Sequence, residues 1–239
     1  MNIAVIFAGG TGERMHTKDR PKQFLMIHGK PIIVHTIEHF QNHSEIDGII
    51  VACIESWIPY MQEMAYRYRL DKIGKIVPGG ETGQMSIYSG LKAAKEVYGL
   101  DDTIVLIHDG VRPLIDEKTI TNNIQSVRKN GSAVTCAPVK ETVILREDGK
   151  KVGDVVPREK SLIAKAPQSF ILNDILAVER QAIADGYTDA IDSCTLMRDY
   201  GREIYIVEGS YENIKITTPE DFYTFRAISD ARENRQIFE

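Results

Sequence analysis

The chain has 239 residues, of which 43% are hydrophobic and 8% aromatic, and it carries a formal net charge of −5 with a pI near 5.7. This length and hydrophobic content suit one large α/β domain. The net acidity excludes the global positive field of many nucleic-acid-binding proteins, so an anionic ligand needs a local cluster of Lys and Arg. No stretch approaches the roughly 18 apolar residues of a membrane span, and the first apolar run is too short for a signal peptide, which favours a cytoplasmic protein.

The three cysteines, at positions 53, 136 and 194, are odd in number and too far apart to form a CxxC pair. Their spacing predicts neither a disulfide framework nor a zinc site. Cys53 and Cys136 lie in apolar runs, so we expect both thiols in the core.

Short apolar runs alternate with amphipathic stretches in the first part of the chain. The runs are rich in Val and Ile and predict buried strands at 3–8, 48–54, 103–109 and 132–139. Apolar periodicity between them predicts helices at 31–43, 57–70, 86–99 and 116–131. Such alternation predicts a mostly parallel central sheet with helices on both faces.

The alternation ends at residues 142–161, where apolar segments flank a charged turn with an Asp-Gly pair. This pattern predicts a β-hairpin that is too polar for the sheet interior and projects as an arm. Because a two-stranded ribbon is marginally stable alone, we expect the arm to pack against a second subunit. The chain is completed by an apolar run at 163–172, helices near 173–186 and 191–200, a strand at 203–209, the segment 213–222 and a last helix. We predict a single domain over 1–239 with a β-arm insertion at about 140–161.

A glycine-rich stretch, FAGGTGERM at 7–15, follows the first strand. It is no dinucleotide fingerprint, because Met15 stands at the third glycine position, and it lacks the Lys-Ser/Thr of a P-loop. Backbone N–H groups of such a loop can hold a triphosphate, and Arg14 and Lys22 would add positive charge to the same anion. The alternative is a flexible turn with solvated basic residues.

Further charged residues stand at predicted strand ends. Asp109 ends a buried strand, where α/β sheets place their ligands, and a carboxylate there can bind magnesium. Arg112 follows on the same loop and could bind a phosphate, and Lys215 lies between two apolar residues at a strand end facing a cleft. The competing interpretation is a turn aspartate with a surface arginine. A second glycine loop, at 79–86, leads into a helix that carries Ser86 near its start.

Histidines recur at four-residue spacing at positions 35, 39 and 43. Without a glutamate base or nearby cysteine, this pattern favours a solvated or half-buried helix face over a metal site. His108 is expected to orient Asp109 or to pack.

Together these motifs resemble the cytidylyltransferases that act on sugar-alcohol phosphates, a family that includes enzymes for 2-C-methyl-D-erythritol 4-phosphate and for ribitol 5-phosphate. The resemblance spans nearly the whole chain. It rests on the segments at 8–15, 21–24, 79–86, 107–113, 139–142, 167–170 and 213–222, which occur in the family's order.

The resemblance implies a Rossmann-like nucleotidyltransferase fold, a homodimer joined through the β-arm, and transfer of CMP from CTP to a polyol phosphate with release of pyrophosphate. Neither a nucleic acid nor a membrane is expected as a partner. The catalytic cations are implied to be Arg14, Lys22 and Lys215. The nucleotide is implied to bind Ala8, Gly9, Gly10, Gly12, Gly80, Glu81 and Ser86. The acceptor is implied to bind Arg112, Thr142, Asp192 and, from the partner's arm, Arg158. Asp109 is implied to bind Mg²⁺.

Two positions depart from the family pattern. Gly83 stands where many members have an arginine, and Ala166 stands where many have a threonine that can face the acceptor. These departures affect the triphosphate contact and the choice of acceptor but not the reaction class.

The acceptor stays open at this point. The segments 9–15 and 55–64 lie slightly closer to the ribitol-phosphate branch, which feeds teichoic acids and capsules, whereas 105–112 also fits the methylerythritol enzymes of isoprenoid biosynthesis. More distant alternatives are a metal-dependent glycosyltransferase, whose Asp-x-Asp is absent from 108–112, and a non-catalytic nucleotide-binding relative, which should have lost one of the four charged residues 14, 22, 109 and 215.

Overall fold

A computed structural model describes residues 1–10 and 20–238, with side chains up to residue 234. Eleven strands lie in the described ranges. They are β1 (Asn2–Ala8), β2 (Met26–Ile27), β3 (Lys30–Pro31), β4 (Gly48–Cys53), β5 (Ile73–Pro78), β6 (Ile104–Asp109), β7 (Ser132–Pro138), β8 (Val143–Arg146), β9 (Val152–Val156), β10 (Leu162–Ile171) and β11 (Ile206–Glu208). Seven α-helices accompany them: α1 (Ile32–Asn42), α2 (Ile58–Arg67), α3 (Gly83–Tyr98), α4 (Glu117–Asn130), α5 (Leu172–Ala184), α6 (Ser193–Asp199) and α7 (Pro219–Phe238).

The central sheet has seven strands in the order β11-β7-β10-β6-β1-β4-β5. All its pairings are parallel except those of β10, which runs antiparallel to both β6 and β7. The predicted α/β class and mostly parallel sheet are therefore confirmed. The four apolar runs in the first part of the chain all form strands of this sheet.

Helices cover both faces because the buried side chains of the central strands alternate in direction. On β1, Ala4 and Ile6 pack into a core with α1, α2 and α4, whereas Ile3 and Val5 pack into a second core with α3, α5 and α6. Gly90 lets α3 lie close to the sheet, since a Cβ there would stand 2.6 Å from Cγ1 of Val5. This packing fixes α3 at the strand ends where the candidate site lies.

The sequence did not predict the short strands β2 and β3, the strand β5, or the direction of β10. β5 forms the sheet edge and is only partly buried, so its residues IGKIVP lack a continuous apolar run. β10 coincides with the predicted apolar run but pairs antiparallel between β6 and β7. β10 follows the hairpin in the chain, and it runs opposite to its neighbours β6 and β7.

The hairpin forms as predicted, with β8 and β9 pairing antiparallel in a two-stranded sheet of their own. Its turn contains Gly149, whose φ of 83° favours glycine. Apolar side chains on both strands are exposed, among them Ile144 at 51% and Val155 at 58%. The arm therefore projects with apolar surface that its own chain leaves uncovered.

Cys53 and Cys136 are buried and reduced, as predicted, and Cys194 is reduced as well. Within the described part of the chain, no helix combines the length and the apolar character needed to cross a bilayer.

Candidate active site

Asp109 lies at the carboxyl end of β6, next to the end of β1, and is 6% exposed. Its Oδ2 accepts a hydrogen bond from Arg112 Nε at 2.7 Å, and its Oδ1 lies 2.6 Å from Lys215 Nζ. One carboxylate thus holds two cations that are 103 residues apart in sequence. The structure brings together Asp109, Arg112 and Lys215, as the motifs predict.

The charges at this cluster determine the ionisation of Asp109. Burial raises the pKa of its carboxyl, but the Arg112 guanidinium and the Lys215 ammonium outweigh burial and hold that pKa well below its usual range. Asp109 is therefore a carboxylate at neutral pH, and it orients both cations. With two cations for one carboxylate, the cluster keeps a net positive charge that suits an anionic substrate.

The segment that carries Lys215 is anchored by buried polar contacts. Lys165 Nζ donates to the carbonyl of Asn213 at 3.1 Å, and Arg112 Nη1 donates to the same carbonyl at 2.9 Å. Asn213 Nδ2 donates to the Ala166 carbonyl at 2.7 Å. Burial, together with the charges of Arg112 and Lys140, lowers the pKa of Lys165 to about 8. Lys165 therefore adds a further amine beside the cation cluster.

A cavity of about 230 Å³ opens beside this cluster. Asp109, Arg112 and Lys215 line it, and Gln84, Gln168, Glu179 and Asp192 contribute a second, polar set to the lining. The lining also includes Ala166 and Ile191, two positions without a hydrogen-bonding side chain.

The second polar set is a connected hydrogen-bond network. Gln84, near the start of α3, donates through Nε2 to Glu179 Oε2 at 3.0 Å and accepts at Oε1 from the Ala190 N–H at 2.9 Å. Gln168 on β10 donates to Asp192 Oδ2 at 3.1 Å, and Asp192 also caps α6 by accepting from the Thr195 N–H. These contacts tie α3, α5, α6 and β10 around one wall.

Glu179 is the unusual member of this network, because it is 0% exposed on α5. Among the described residues, none donates to its Oε1, and none forms an ion pair with it. Burial raises the pKa of Glu179 to about 7, and the hydrogen bond from Gln84 opposes that rise only in part.

The two glycine loops meet at Ser86. Its Oγ accepts from the Gly80 N–H at 3.0 Å, and a Cβ on Gly9 would lie 2.5 Å from the same oxygen. Gln23 Nε2 donates to the carbonyls of Ala8 at 2.7 Å and Gly10 at 3.3 Å, which closes the other side. Of the residues predicted to bind nucleotide, Gly9, Gly80 and Ser86 therefore lie side by side, although the Ser86 hydroxyl is occupied by the second loop. Glu81 lies on that loop and is exposed.

Other predicted site residues lie apart from the cavity or outside the description. Gly12 and Arg14 fall outside the described residues. Lys22 begins a short 3₁₀ turn after the first glycine loop and is half-buried. On the arm, Arg158 Nη2 donates to Thr142 Oγ1 at 3.2 Å, and neither residue lines the cavity of its own chain.

His35 and His39 are half-buried on α1, as predicted, whereas His43, just after the end of the helix, is buried. His35 and His39 each contact a backbone carbonyl, of Ile27 at 3.0 Å and of Pro113 at 2.9 Å, and His43 contacts Thr121 Oγ1. His108 is fully buried and packs against Phe40, and burial lowers its pKa to about 3, so the ring is neutral. Its contact with the site is through the Arg112 carbonyl.

Five polar residues that line this cavity were given no role from the sequence, at positions 84, 165, 168, 179 and 193. Gln84 and Gln168 nevertheless lie within the segments 79–86 and 167–170 that carry the resemblance. For Glu179 a sequence signal existed, because it falls on the apolar face of α5 with Ile175, Leu176 and Ala182. A charged residue at a buried helical position indicates a built polar site or a structural pair. Lys165 similarly interrupts an apolar strand. The two glutamines carry no comparable signal.

Asp109 offers a single carboxylate, and both of its oxygens are paired with cations, Oδ2 with Arg112 and Oδ1 with Lys215. A Mg²⁺ ion at this position would share an oxygen with one of these cations and would take its other ligands from substrate phosphates and waters. The three-ligand group that the described residues do form, His28 with Asp230 and Glu233, does not include Asp109.

The chain is similar to known cytidylyltransferases in both sequence and structure. The family model described as IspD, 2-C-methyl-D-erythritol 4-phosphate cytidylyltransferase, matches residues 2–230. A ribitol-5-phosphate cytidylyltransferase of Streptococcus agalactiae is 62% identical over 238 residues, which cover 100% of this chain and 99% of the relative. A 2-C-methyl-D-erythritol 4-phosphate cytidylyltransferase of Clostridium acetobutylicum is 40% identical over 95% of this chain and 97% of its own. The crystal structure of 4-diphosphocytidyl-2C-methyl-D-erythritol synthase from Anaerococcus prevotii superposes with a TM-score of 0.81 at 28% identity, covering 96% of each chain.

The buried carboxyl of Glu179 makes stability depend on pH. Its pKa of about 7 lies above the 4.5 of an exposed glutamate, so the folded chain binds more protons than the unfolded chain between these values. Stability should therefore fall as pH rises from about 4.5 to 7, and Glu179→Gln should remove this loss. The free energy of unfolding of Glu179→Gln, relative to the wild type, should therefore rise by on the order of 2–3 kcal/mol between pH 4.5 and 7. Above pH 7 this difference should stay constant.

Denaturant unfolding at several pH values between 4 and 8 measures this difference. Glu141→Gln, at an exposed loop position, is the matched control and should run parallel to the wild type. A difference between Glu179→Gln and wild type that does not change with pH would contradict the assignment of a buried, poorly compensated carboxyl.

Proposed function

Because the chain belongs to the IspD family of cytidylyltransferases and is a CTP-dependent nucleotidyltransferase, we propose that its acceptor is ribitol 5-phosphate. The product would be CDP-ribitol, and the second product is pyrophosphate. The observation that carries the reaction is the pairing of Arg112 and Lys215 on the buried Asp109 carboxylate at the strand ends. We place the enzyme in the cytoplasm, as a source of precursors for cell-wall or capsule polymers.

The reaction needs positioning more than proton transfer. An oxygen of the acceptor phosphate attacks the α-phosphorus of CTP, a P–O bond forms, and the bond to the β-phosphate breaks with its electrons leaving on pyrophosphate. The attacking phosphate is already ionised at neutral pH, so no strong general base is required. Negative charge that builds on the α-phosphate is met by Arg14, Lys22 and Lys215 in this proposal.

Holding two anions together is the second requirement. Arg112 and Lys215 are oriented by Asp109 before any substrate binds, so their reorganisation cost during the reaction is small. Asp109 would also contribute one ligand to a Mg²⁺ ion bound with CTP. That ion would neutralise phosphate charge. The glycine loops around Ser86 would surround the nucleotide with backbone N–H groups.

The arm would complete the acceptor site from the other subunit of a homodimer. Arg158 and Thr142 contact each other, so they would enter the partner's site together. This refines the expectation from the sequence, which assigned only Arg158 to the partner. The exposed apolar residues of β8 and β9 would be covered by the same contact.

The choice of ribitol 5-phosphate over the methylerythritol acceptor is supported by relatives and by the cavity wall. The ribitol-5-phosphate enzyme is 62% identical, against 40% for the methylerythritol enzyme. Ala166 lines the cavity and has no hydroxyl, so a side-chain contact that a threonine could make to the acceptor is missing here.

An acceptor panel tests this proposal. Purified protein is incubated with CTP, Mg²⁺ and, separately, ribitol 5-phosphate, 2-C-methyl-D-erythritol 4-phosphate and glycerol 3-phosphate, with pyrophosphate release as the readout. We expect kcat/KM to be highest for ribitol 5-phosphate, by at least about tenfold. Preference for the methylerythritol acceptor would replace the proposed substrate, and release with no acceptor present would refute the transfer reaction.

Removing a proposed catalytic cation should reduce turnover without unfolding the protein. We expect Lys22→Ala and Arg14→Ala each to lower kcat by about 10²- to 10³-fold, as loss of one transition-state charge contact does elsewhere. Lys118→Ala, an exposed lysine at the start of α4, is the control and should retain full activity. Circular dichroism checks the fold, and near-normal kcat in either variant would remove that residue from the proposed catalytic set.

Exchange of arms can be tested by mixing two inactive variants. Lys22→Ala retains a normal arm, and Arg158→Ala retains a normal catalytic core. If the arm acts on the partner, each mixed dimer contains one complete site, and random exchange restores about a quarter of wild-type activity. If the arm acts within its own chain, mixing restores nothing, and the proposed exchange is wrong.

A further inference from the structure

Glu179 has no assigned role, and its position is costly. It is 0% exposed, and the Gln84 amide is its one hydrogen-bond donor within the described part of the chain. A buried carboxyl oxygen without a partner destabilises the fold by the lost hydration. A leucine would fill the same apolar face of α5 without that cost, so Glu179 calls for a ligand-related explanation.

The site around Glu179 is built to hold its carboxyl in one orientation. Gln84 cannot turn its amide round, because its Oε1 accepts from the Ala190 N–H while its Nε2 donates to Glu179 Oε2 and to the Tyr187 carbonyl. The remaining oxygen, Oε1, has no hydrogen-bond partner among the described residues and is closed to solvent, so a ligand hydroxyl must move a neighbouring side chain to reach it. Glu179 also belongs to the wall of the cavity that contains Arg112 and Lys215.

We propose that Glu179 is a specificity-determining residue whose Oε1 accepts a hydrogen bond from a hydroxyl of the polyol chain, at the end remote from the phosphate. This inference rests on the proposed function, in which Arg112 holds the phosphate end of the acceptor and Lys215 acts on the α-phosphate of CTP beside it. The acceptor then spans the cavity from the cations to the network of Gln84, Gln168, Glu179 and Asp192. A polyol presents hydroxyl donors along its whole length, which is the chemistry that a buried carboxylate oxygen requires.

The enzyme should therefore discriminate against acceptors that lack the hydroxyl bound by Glu179. An enzyme site built to hydrogen-bond a substrate hydroxyl rejects the analogue without it, because the protein group is left buried and unpaired. Ala166 and Ile191, on the same wall, offer no side-chain hydrogen bond to compensate. The cost of the missing hydroxyl should therefore depend on residue 179.

The test compares wild type, Glu179→Leu and Glu179→Gln with ribitol 5-phosphate and with analogues that each lack one hydroxyl, including 1-deoxyribitol 5-phosphate. In the wild type we expect the distal deoxy analogue to lose about 10- to 100-fold in kcat/KM. In Glu179→Leu the loss should shrink to within about threefold, because ribitol 5-phosphate itself becomes a poorer substrate while KM for CTP is unchanged. Glu179→Gln, which replaces the free acceptor oxygen by an amide donor, should give an intermediate ratio and serves if the leucine variant does not fold.

The control is Asp174→Asn, an exposed acid on the same helix, which should behave as wild type toward every analogue. A merely structural role for Glu179 would lower kcat/KM for all acceptors by one common factor, and that result would overturn the inference while leaving the proposed function intact. Unchanged activity in both variants would overturn it as well. A wild-type enzyme inactive on ribitol 5-phosphate would instead refute the proposed function, and the inference with it.

Discussion

The buried carboxylate of Asp109 is the contact on which the site depends. It joins the end of β6, the loop that follows, and a segment from the far end of the chain through ion pairs with Arg112 and Lys215. A single carboxylate in a low-dielectric position is stable only if cations compensate it, so the fold and the positive site require each other. An acidic protein can in this way concentrate positive charge at one edge of its sheet, where substrate phosphates must meet.

The same edge combines two kinds of recognition. In the proposed reaction, phosphate groups would be met by cations and backbone N–H groups, which act at a distance and tolerate variation in the ligand. Another part of the cavity lining, with Gln84 and Glu179, is a network of directed hydrogen bonds. The relatives that the chain matches are named for two different polyol acceptors, ribitol 5-phosphate and 2-C-methyl-D-erythritol 4-phosphate.

Local sequence predicts the fold wherever local forces decide it. Strands such as 48–53 are buried on both faces, so continuous apolar runs predict them. The Asp-Gly pair predicts the turn of the hairpin. β5 and the direction of β10 were missed because local sequence determines neither of them. An edge strand such as β5 needs little apolar character, and the antiparallel insertion of β10 depends on which neighbours remain unpaired when the chain returns from the arm.

Sequence by itself determined the reaction class of this protein through its resemblance to a known family, because the glycine loops, the strand-end charges and their order are set by residues close together in the chain. It also supplied Asp109, Arg112 and Lys215 as candidates. Only the tertiary structure showed that Arg112 and Lys215 share the buried Asp109 carboxylate, and that Arg158 and Thr142 contact each other. Only the tertiary structure placed Glu179 in the cavity wall, because burial and the direction of a hydrogen bond arise from packing between helices that are distant in sequence.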